Sequence, residues 1–388
     1  MNAPRIALVR ARYTASGGAE RFVANALDAL RANGVTITLV TRKWPQQVAG
    51  ATIVCNPFYI GSVWRDWGFA RAVCELFRRE RFDLVQSHER IACCDIYRAG
   101  DGVHREWLIQ RARNWSWLQR AQLALNPYHW YVKYAEFKLF NSAQLKAVVC
   151  NSQMVKNEIQ RWFGTPSDKL HVIYSGVDTE RFHPRLREIH GEKIRWQHNI
   201  PHDATIFLYV GSGFERKGVA QLLKAFANLA SPSHLIIVGK DKRQSDFERL
   251  ATTLGISPCT HFLGTIEDVT PYYGAASVFV LPTLYDPFPN VILEAMACGL
   301  PVITSTKSGG AELIQEGFNG FVCDPMDIAK LTSNMELLTK ADQRRAIGQA
   351  ARESAEKYTL GAMSIQLGLL YRDLLPVWRS SGILGRTV

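Results

Sequence analysis

The stretch that decides the fold is Ile206-Phe207-Leu208-Tyr209-Val210, then Gly211-Ser212-Gly213-Phe214-Glu215-Arg216-Lys217-Gly218, then Val219, Leu222, Leu223 and Phe226 at helical spacing. Five apolar residues without alternation read as a strand covered on both faces. The glycines read as a turn, and the spacing that follows reads as an amphipathic helix. A strand–loop–helix unit of this kind belongs to a parallel α/β sheet. The unit recurs outward in both directions. Strands are expected at Ile6–Val9, Thr36–Val40, Leu84–Gln86, Ala147–Cys150, Leu235–Val238, Val278–Leu281 and Val302–Thr304. A helix is expected where Ala19, Phe22, Val23, Ala26, Leu27 and Leu30 share one stripe.

The polar run Gly191–Asp203 interrupts the series, which places a domain boundary near residues 185–200. The expected domains are 1–185 with about 366–388, and 186–365; a long last helix, about 358–378, would cross back to the first. Two doubly wound domains would face each other across a cleft at the carboxyl ends of their strands. The 388 residues, 47% hydrophobic and 21% charged, supply ample core for this and exclude a disordered or fibrous chain. No apolar run is long enough to span a bilayer and no secretory leader is evident, so the chain reads as cytosolic. Eight scattered cysteines lack metal-ligand spacing and read as free thiols, with neither a zinc site nor a disulfide framework.

The net charge of +11 is unevenly spread. Residues 1–200 carry 29 Lys+Arg against 17 Asp+Glu, whereas the remainder is nearly balanced. A basic half suits an anionic membrane, a phosphorylated substrate or nucleic acid; no nucleic-acid-binding motif is present, which argues against the last. Within that half, Val103–Phe140 holds Trp107, Trp115, Trp117 and Trp130, with six basic and two acidic residues. Leu108, Ala112, Trp115 and Leu118 could share one helical face. Aromatic rings beside cations suit a lipid headgroup layer; the alternative is an ordinary helix pair whose tryptophans fill the core.

Three loops share the order strand, glycine, helix start: Ser16-Gly17-Gly18, Gly211 to Gly218, and Ser308-Gly309-Gly310. Glycine lets a phosphate approach the backbone, and a helix start offers unpaired N–H groups. Arg216 and Lys217 stand where dipole logic disfavours cations, so a bound anion would explain them. The sequence lacks both the P-loop pattern and the dinucleotide-binding glycine triad. Farther along, Glu294 is the one charged residue between Asp286 and Lys307, in a helix expected from Pro289 to Gly299 with apolar residues all round. A buried carboxylate needs partners: either an internal cation or the vicinal hydroxyls of a bound ribose.

Tyr285 to Val302 resembles the E-x7-E signature of the retaining glycosyltransferases of family 4, with Asp286 in place of the first Glu. The glycine loops, Arg216-Lys217-Gly218 and Ser175-Gly176-Val177-Asp178 fit the same family. The resemblance implies the GT-B fold and a nucleotide diphosphate sugar as co-substrate, with no metal and no other cofactor. Glu294 would hold the ribose, Asp286 the sugar hydroxyls, and Arg216 and Lys217 the diphosphate. Gly17, Gly18, Gly211, Gly309 and Gly310 would present backbone to phosphate and sugar. Asp101, in Ala99-Gly100-Asp101-Gly102, aligns with a polar catalytic position, and His104 competes for that role. Val210–Val219 and Val238–Lys242 are similar to a subfamily of glucosyltransferases acting on the heptose of the lipopolysaccharide core. That subfamily implies a UDP-sugar donor, glucose as the hexose, a lipid-linked and phosphorylated glycan as acceptor, and peripheral binding to the inner face of the plasma membrane through an insertion at Val103–Phe140. An acceptor on another cell-surface polysaccharide, a GT-B epimerase or phosphorylase, and a non-enzymatic nucleotide-sugar-binding module stay open.

Overall fold

The computed structural model describes residues 4–12, 35–43 and 51–375. Gly17, Gly18 and the helix expected from Ala19 lie outside the described residues. The chain divides into two compact units, 1–174 with 363–388, and 175–362.

The first unit is built on a seven-stranded parallel sheet in the order β3-β2-β1-β4-β5-β6-β7. Its strands are β1 (Arg5–Val9), β2 (Thr36–Thr41), β3 (Ala51–Val54), β4 (Leu84–Ser87), β5 (Ile96–Ala99), β6 (Ala147–Cys150) and β7 (Leu170–Val172). Every residue of β4, β5 and β6 is buried, as strands covered on both faces require. The described helices are α1 (Gly61–Arg79), α2 (His104–Arg111), α3 (Trp117–Leu125), α4 (Pro127–Phe140) and α5 (Gln153–Phe163). Val73 of α1, Leu139 of α4 and Val155 and Ile159 of α5 join the strands in one core.

The second unit has a six-stranded parallel sheet in the order β10-β9-β8-β11-β12-β13. After α6 (Leu186–Gln197) come β8 (Thr205–Val210), α7 (Val219–Phe226), β9 (Ser233–Val238), α8 (Gln244–Thr253), β10 (Thr260–Gly264) and α9 (Thr270–Ala275). Then follow β11 (Val278–Leu281), α10 (Asn290–Ala297), β12 (Val302–Ser305), β13 (Gly320–Cys323), α11 (Ile328–Leu337) and α12 (Ala341–Ala355). The last helix, α13 (Leu360–Leu374), begins in this unit and from Met363 onward belongs to the first. Within the first unit, the Tyr371 hydroxyl donates to Gln86 of β4.

Every strand expected from the sequence is present, and β3, β5, β7, β10 and β13 are additional. Four expectations are corrected. Cys74 of α1 and Cys93 form a disulfide, because helix and loop place residues 19 apart in sequence side by side. Gly191–Asp203 is not a plain linker: α6 runs through most of it, with Leu186, Gly191 and Ile194 buried. Three inward positions in twelve residues leave too little apolar signal for the sequence to announce a helix. Residues 175–185 belong to the second unit, where Val177 bridges Thr359 and Arg352 donates to the Thr179 and Phe182 carbonyls. Finally, Leu108, Ala112, Trp115 and Leu118 do not share one helix. A 3-10 turn at Ala112–Asn114 ends α2, and a capping box between Ser116 and Gln119 starts α3 afresh.

Candidate functional site

The sequence-marked residues of the second unit converge on the carboxyl ends of β8, β11 and β12. The β8 loop is held by its backbone. The Arg216 carbonyl accepts the Leu284 N–H at 2.8 Å and the Thr283 hydroxyl at 3.1 Å, which fixes the loop to the end of β11. Gly218, with φ +76°, caps α7, and a Cβ there would lie 1.9 Å from the Pro282 carbonyl oxygen. Only glycine allows that approach. At Gly211 a Cβ would meet the Lys217 side chain at 2.7 Å, so the lysine stem runs directly over this glycine.

Arg216 and Lys217 both turn toward Asp286. Nη1 of Arg216 donates to the Tyr285 carbonyl at 3.0 Å and lies 3.3 Å from Asp286 Oδ2; Lys217 Nζ lies 3.2 Å from the same oxygen. Asp286 is 6% exposed. Burial alone would raise its pKa, but Lys217 and Arg216 outweigh burial, and the carboxyl sits below its ordinary range. It is therefore an anion at neutral pH. Its backbone is pinned as well: the Asp286 N–H donates to the Lys307 carbonyl at 3.0 Å, and its carbonyl accepts the Gly309 N–H at 2.9 Å.

Glu294 lies in α10, buried at 3% exposure, and Oε2 accepts the Tyr273 hydroxyl of α9 at 3.0 Å. The structure gives the arginine–lysine pair to Asp286 and a phenol to Glu294. The reason is local: Asp286 precedes α10 on a loop level with Arg216, whereas Glu294 sits one to two turns inside the helix. Gly309 and Gly310 begin a five-residue 3-10 helix rather than an α-helix. Their N–H groups are engaged within the loop, the first with Asp286 and the second with Ser308 Oγ at 3.3 Å. A Cβ on Gly310 would reach Ile292 Cδ1 of α10 at 2.5 Å, so close packing accounts for a small residue there. Tyr273 carried no sequence signal, since the adjacent phenols Tyr272 and Tyr273 of a short helix read as core.

Asp101 belongs to the first unit, and its side chain is 64% exposed. Arg90 Nη1 lies 3.6 Å from it, and Arg90 Nε donates to Glu136 of α4 at 2.9 Å. The same Glu136 oxygen accepts the His104 N–H at 2.9 Å. His104 is held differently from Asp101: its Nε2 meets His129 Nδ1 at 3.0 Å, and burial, then Arg90 and His129, push its pKa down to about 3. A neutral, engaged imidazole is a poor proton acceptor, so Asp101 is the open group of the two. Arg90, Glu136 and His129 escaped the sequence reading. The available signal was Glu106 and Glu136, the two acids in a basic segment; both are buried.

Two α/β units, each with its own parallel sheet, are the architecture of the GT-B class. The family models agree. One described as Glycosyl transferases group 1 matches residues 191–354, and one described as Glycosyltransferase Family 4 matches residues 16–181. The chain belongs to the group 1, family 4 glycosyltransferases and has the GT-B fold. It is 34% identical over 179 residues to an uncharacterized glycosyltransferase, MJ1607, of Methanocaldococcus jannaschii, covering 45% of each chain. It is 28% identical over 285 residues to the lipopolysaccharide glucosyltransferase WaaG of Escherichia coli, covering 71% of this chain and 72% of that one. For several curated relatives the match spans only about half of their length (45%, 53% and 43%). Among solved structures, WaaG superposes with TM-score 0.82 at 24% identity, over 96% of this chain and 99% of that chain. Anabaena Alr3699/HepE in complex with UDP-glucose superposes with TM-score 0.73 at 18% identity, over 95% and 99%.

Proposed function

We propose that the protein transfers a hexose, glucose, from a UDP-sugar to a heptose of the lipopolysaccharide core or a similar lipid-linked glycan, with retention and without a metal. The carrying observation is the pairing of Arg216 and Lys217 on one buried carboxylate at the ends of β8 and β11. Two cations held this way are preorganised for the diphosphate of the donor. As the sugar–phosphate bond breaks, negative charge grows on the leaving diphosphate, and cations already in place stabilise it without reorganising. Asp286 then gives up part of its hold on them and turns to the sugar hydroxyls. Glu294, with Tyr273 behind it, takes the ribose hydroxyls. The leaving phosphate accepts the acceptor's proton on the same face, so no separate base is needed in this unit. The first unit receives the acceptor, with Asp101 as its open polar group.

The outer surface of α3 and α4 supports docking on an anionic membrane at the cytoplasmic face. None of α3 is buried, and Trp117, Leu118, Leu125, Trp130, Tyr134 and Phe137 are exposed. Arg111, Lys133 and Lys138 lie over aromatic rings, at 4.5 Å from Trp115, 5.3 Å from Trp130 and 5.1 Å from Tyr134. No helix among the described residues is long and apolar enough to cross a membrane.

Lys217→Ala and Glu294→Ala should each lower turnover roughly tenfold or more with unchanged circular dichroism, measured as UDP release dependent on acceptor. Full activity in both removes the donor-site assignment. UDP release without acceptor, or activity with free phosphate, would instead favour an epimerase or phosphorylase; binding of UDP-glucose with no turnover would favour a binding module. On membranes, the protein should float with phosphatidylglycerol vesicles at low salt and be released at about 1 M salt, where charge attraction is screened within a few ångströms. Failure to float at low salt rejects the docking surface.

A further inference from the structure

Helix α4 has two faces with different chemistry. Its outer face carries Trp130, Tyr134 and Phe137, each more than half exposed. Its inner face carries His129 and Glu136, seven residues apart and so on one side of the helix. Glu136 is 1% exposed. Its Oε1 receives both Arg90 Nε and the His104 N–H, at 2.9 Å each. Arg90 in turn reaches the Gly102 carbonyl at 3.4 Å and Asp101 at 3.6 Å. Glu136 Oε2 is buried and takes no hydrogen bond among the described residues. A buried carboxyl group with one oxygen idle is costly compared with an apolar residue. Mere packing does not need it; holding an arginine against the 100–104 loop does.

We propose that Glu136 is a positioning residue that couples the outer, lipid-facing side of α4 to the loop bearing Asp101. A fourteen-residue helix with its internal hydrogen bonds made moves as one body, so seating the aromatic face restrains the carboxylate on the opposite face. The Glu136–Arg90 pair and the His104 amide carry that restraint to residues 100–104, and the His104–His129 bond adds a second tie. Docking on lipid therefore orders the acceptor-side loop. The proposal rests on the membrane reading above and extends it to a named route.

The test is hydrogen exchange of residues 99–104 in the full chain, with and without phosphatidylglycerol vesicles, alongside acceptor and donor KM. In the native protein, vesicles should slow exchange of this segment at least threefold. In Glu136→Ala the slowing should vanish although flotation persists. Acceptor KM should rise at least fivefold with donor KM within twofold, and Glu136→Gln, which keeps an oxygen for Arg90 and His104, should recover most of both. Flotation with unchanged exchange in the native protein overturns the coupling while leaving membrane docking intact, and this arm decides even if Glu136→Ala fails to fold. No flotation overturns both. A Glu136→Ala protein with native kinetics and native vesicle response also overturns it.

Discussion

The two polar clusters are built from the same parts and in opposite ways. In the second unit, Asp286 meets two cations and its charge is stabilised against burial. In the first, Glu136 meets Arg90 and an amide, yet burial prevails and its pKa is raised above the ordinary 4.5. The surroundings favour the anion of Asp286 and disfavour that of Glu136. Charge balance, not burial alone, therefore decides which way a buried acid shifts: two cations outweigh burial at Asp286, and one does not at Glu136.

The largest effect is expected at the backbone of the second-unit cluster. Gly218→Ala should destabilise the second unit by about 3 kcal/mol or more, because a Cβ would meet a carbonyl oxygen and demand a left-handed backbone. Denaturant unfolding followed by the second unit's signals checks it; a loss under 1 kcal/mol would mean the β8 loop is free to shift, contrary to its fixed attachment to β11.

Next in size is Asp286→Asn. Two cations lose a buried counterion, at a cost of about 2–3 kcal/mol after allowing for the partial exposure of Arg216. Because Asp286 and the diphosphate would compete for the same cations, UDP should bind as tightly as before or tighter, measured by calorimetry, while turnover falls. Weaker UDP binding would mean that holding the two cations in place matters more to the diphosphate than competition for them.

The smallest effect is in the pH response, where the units should differ in sign. Asp286 has a depressed pKa, so its contribution is present above about 3.8 and is lost as pH falls through its folded value. Glu136 has a raised pKa, so its contribution is largest at low pH and is lost as pH rises from 4.5 through its folded value. Stability of the native protein minus that of Glu136→Gln should therefore decline across that window, whereas native minus Asp286→Asn should rise with pH near 4. Parallel slopes would end the contrast.

What was legible in the sequence follows the same division. The second-unit cluster lies in two short contiguous stretches, Gly211–Gly218 and Asp286–Glu294, each with a local reason to stand out: cations at a helix start, and an acid in an apolar helix. The sequence could not tell which acid the cations face, since the choice depends on the height at which two loops leave neighbouring strands. The first-unit cluster left almost no trace. Glu136 and Arg90 are 46 residues apart, and a single acid in a basic aromatic run counts as one charge among many. The Cys74–Cys93 bond was hidden for the same reason.

By itself, the sequence determined the parallel α/β architecture, because buried strands and amphipathic helices each impose a period that any stretch of chain must obey. It also determined the family, whose motifs are local. Tertiary structure alone decided the partners: which base pairs with which acid, which cysteines join, and which aromatic side chains of α3 and α4 stay in solvent. Hydrogen bonds and ion pairs act over about 3 Å, and only folding brings residues distant in sequence within that reach.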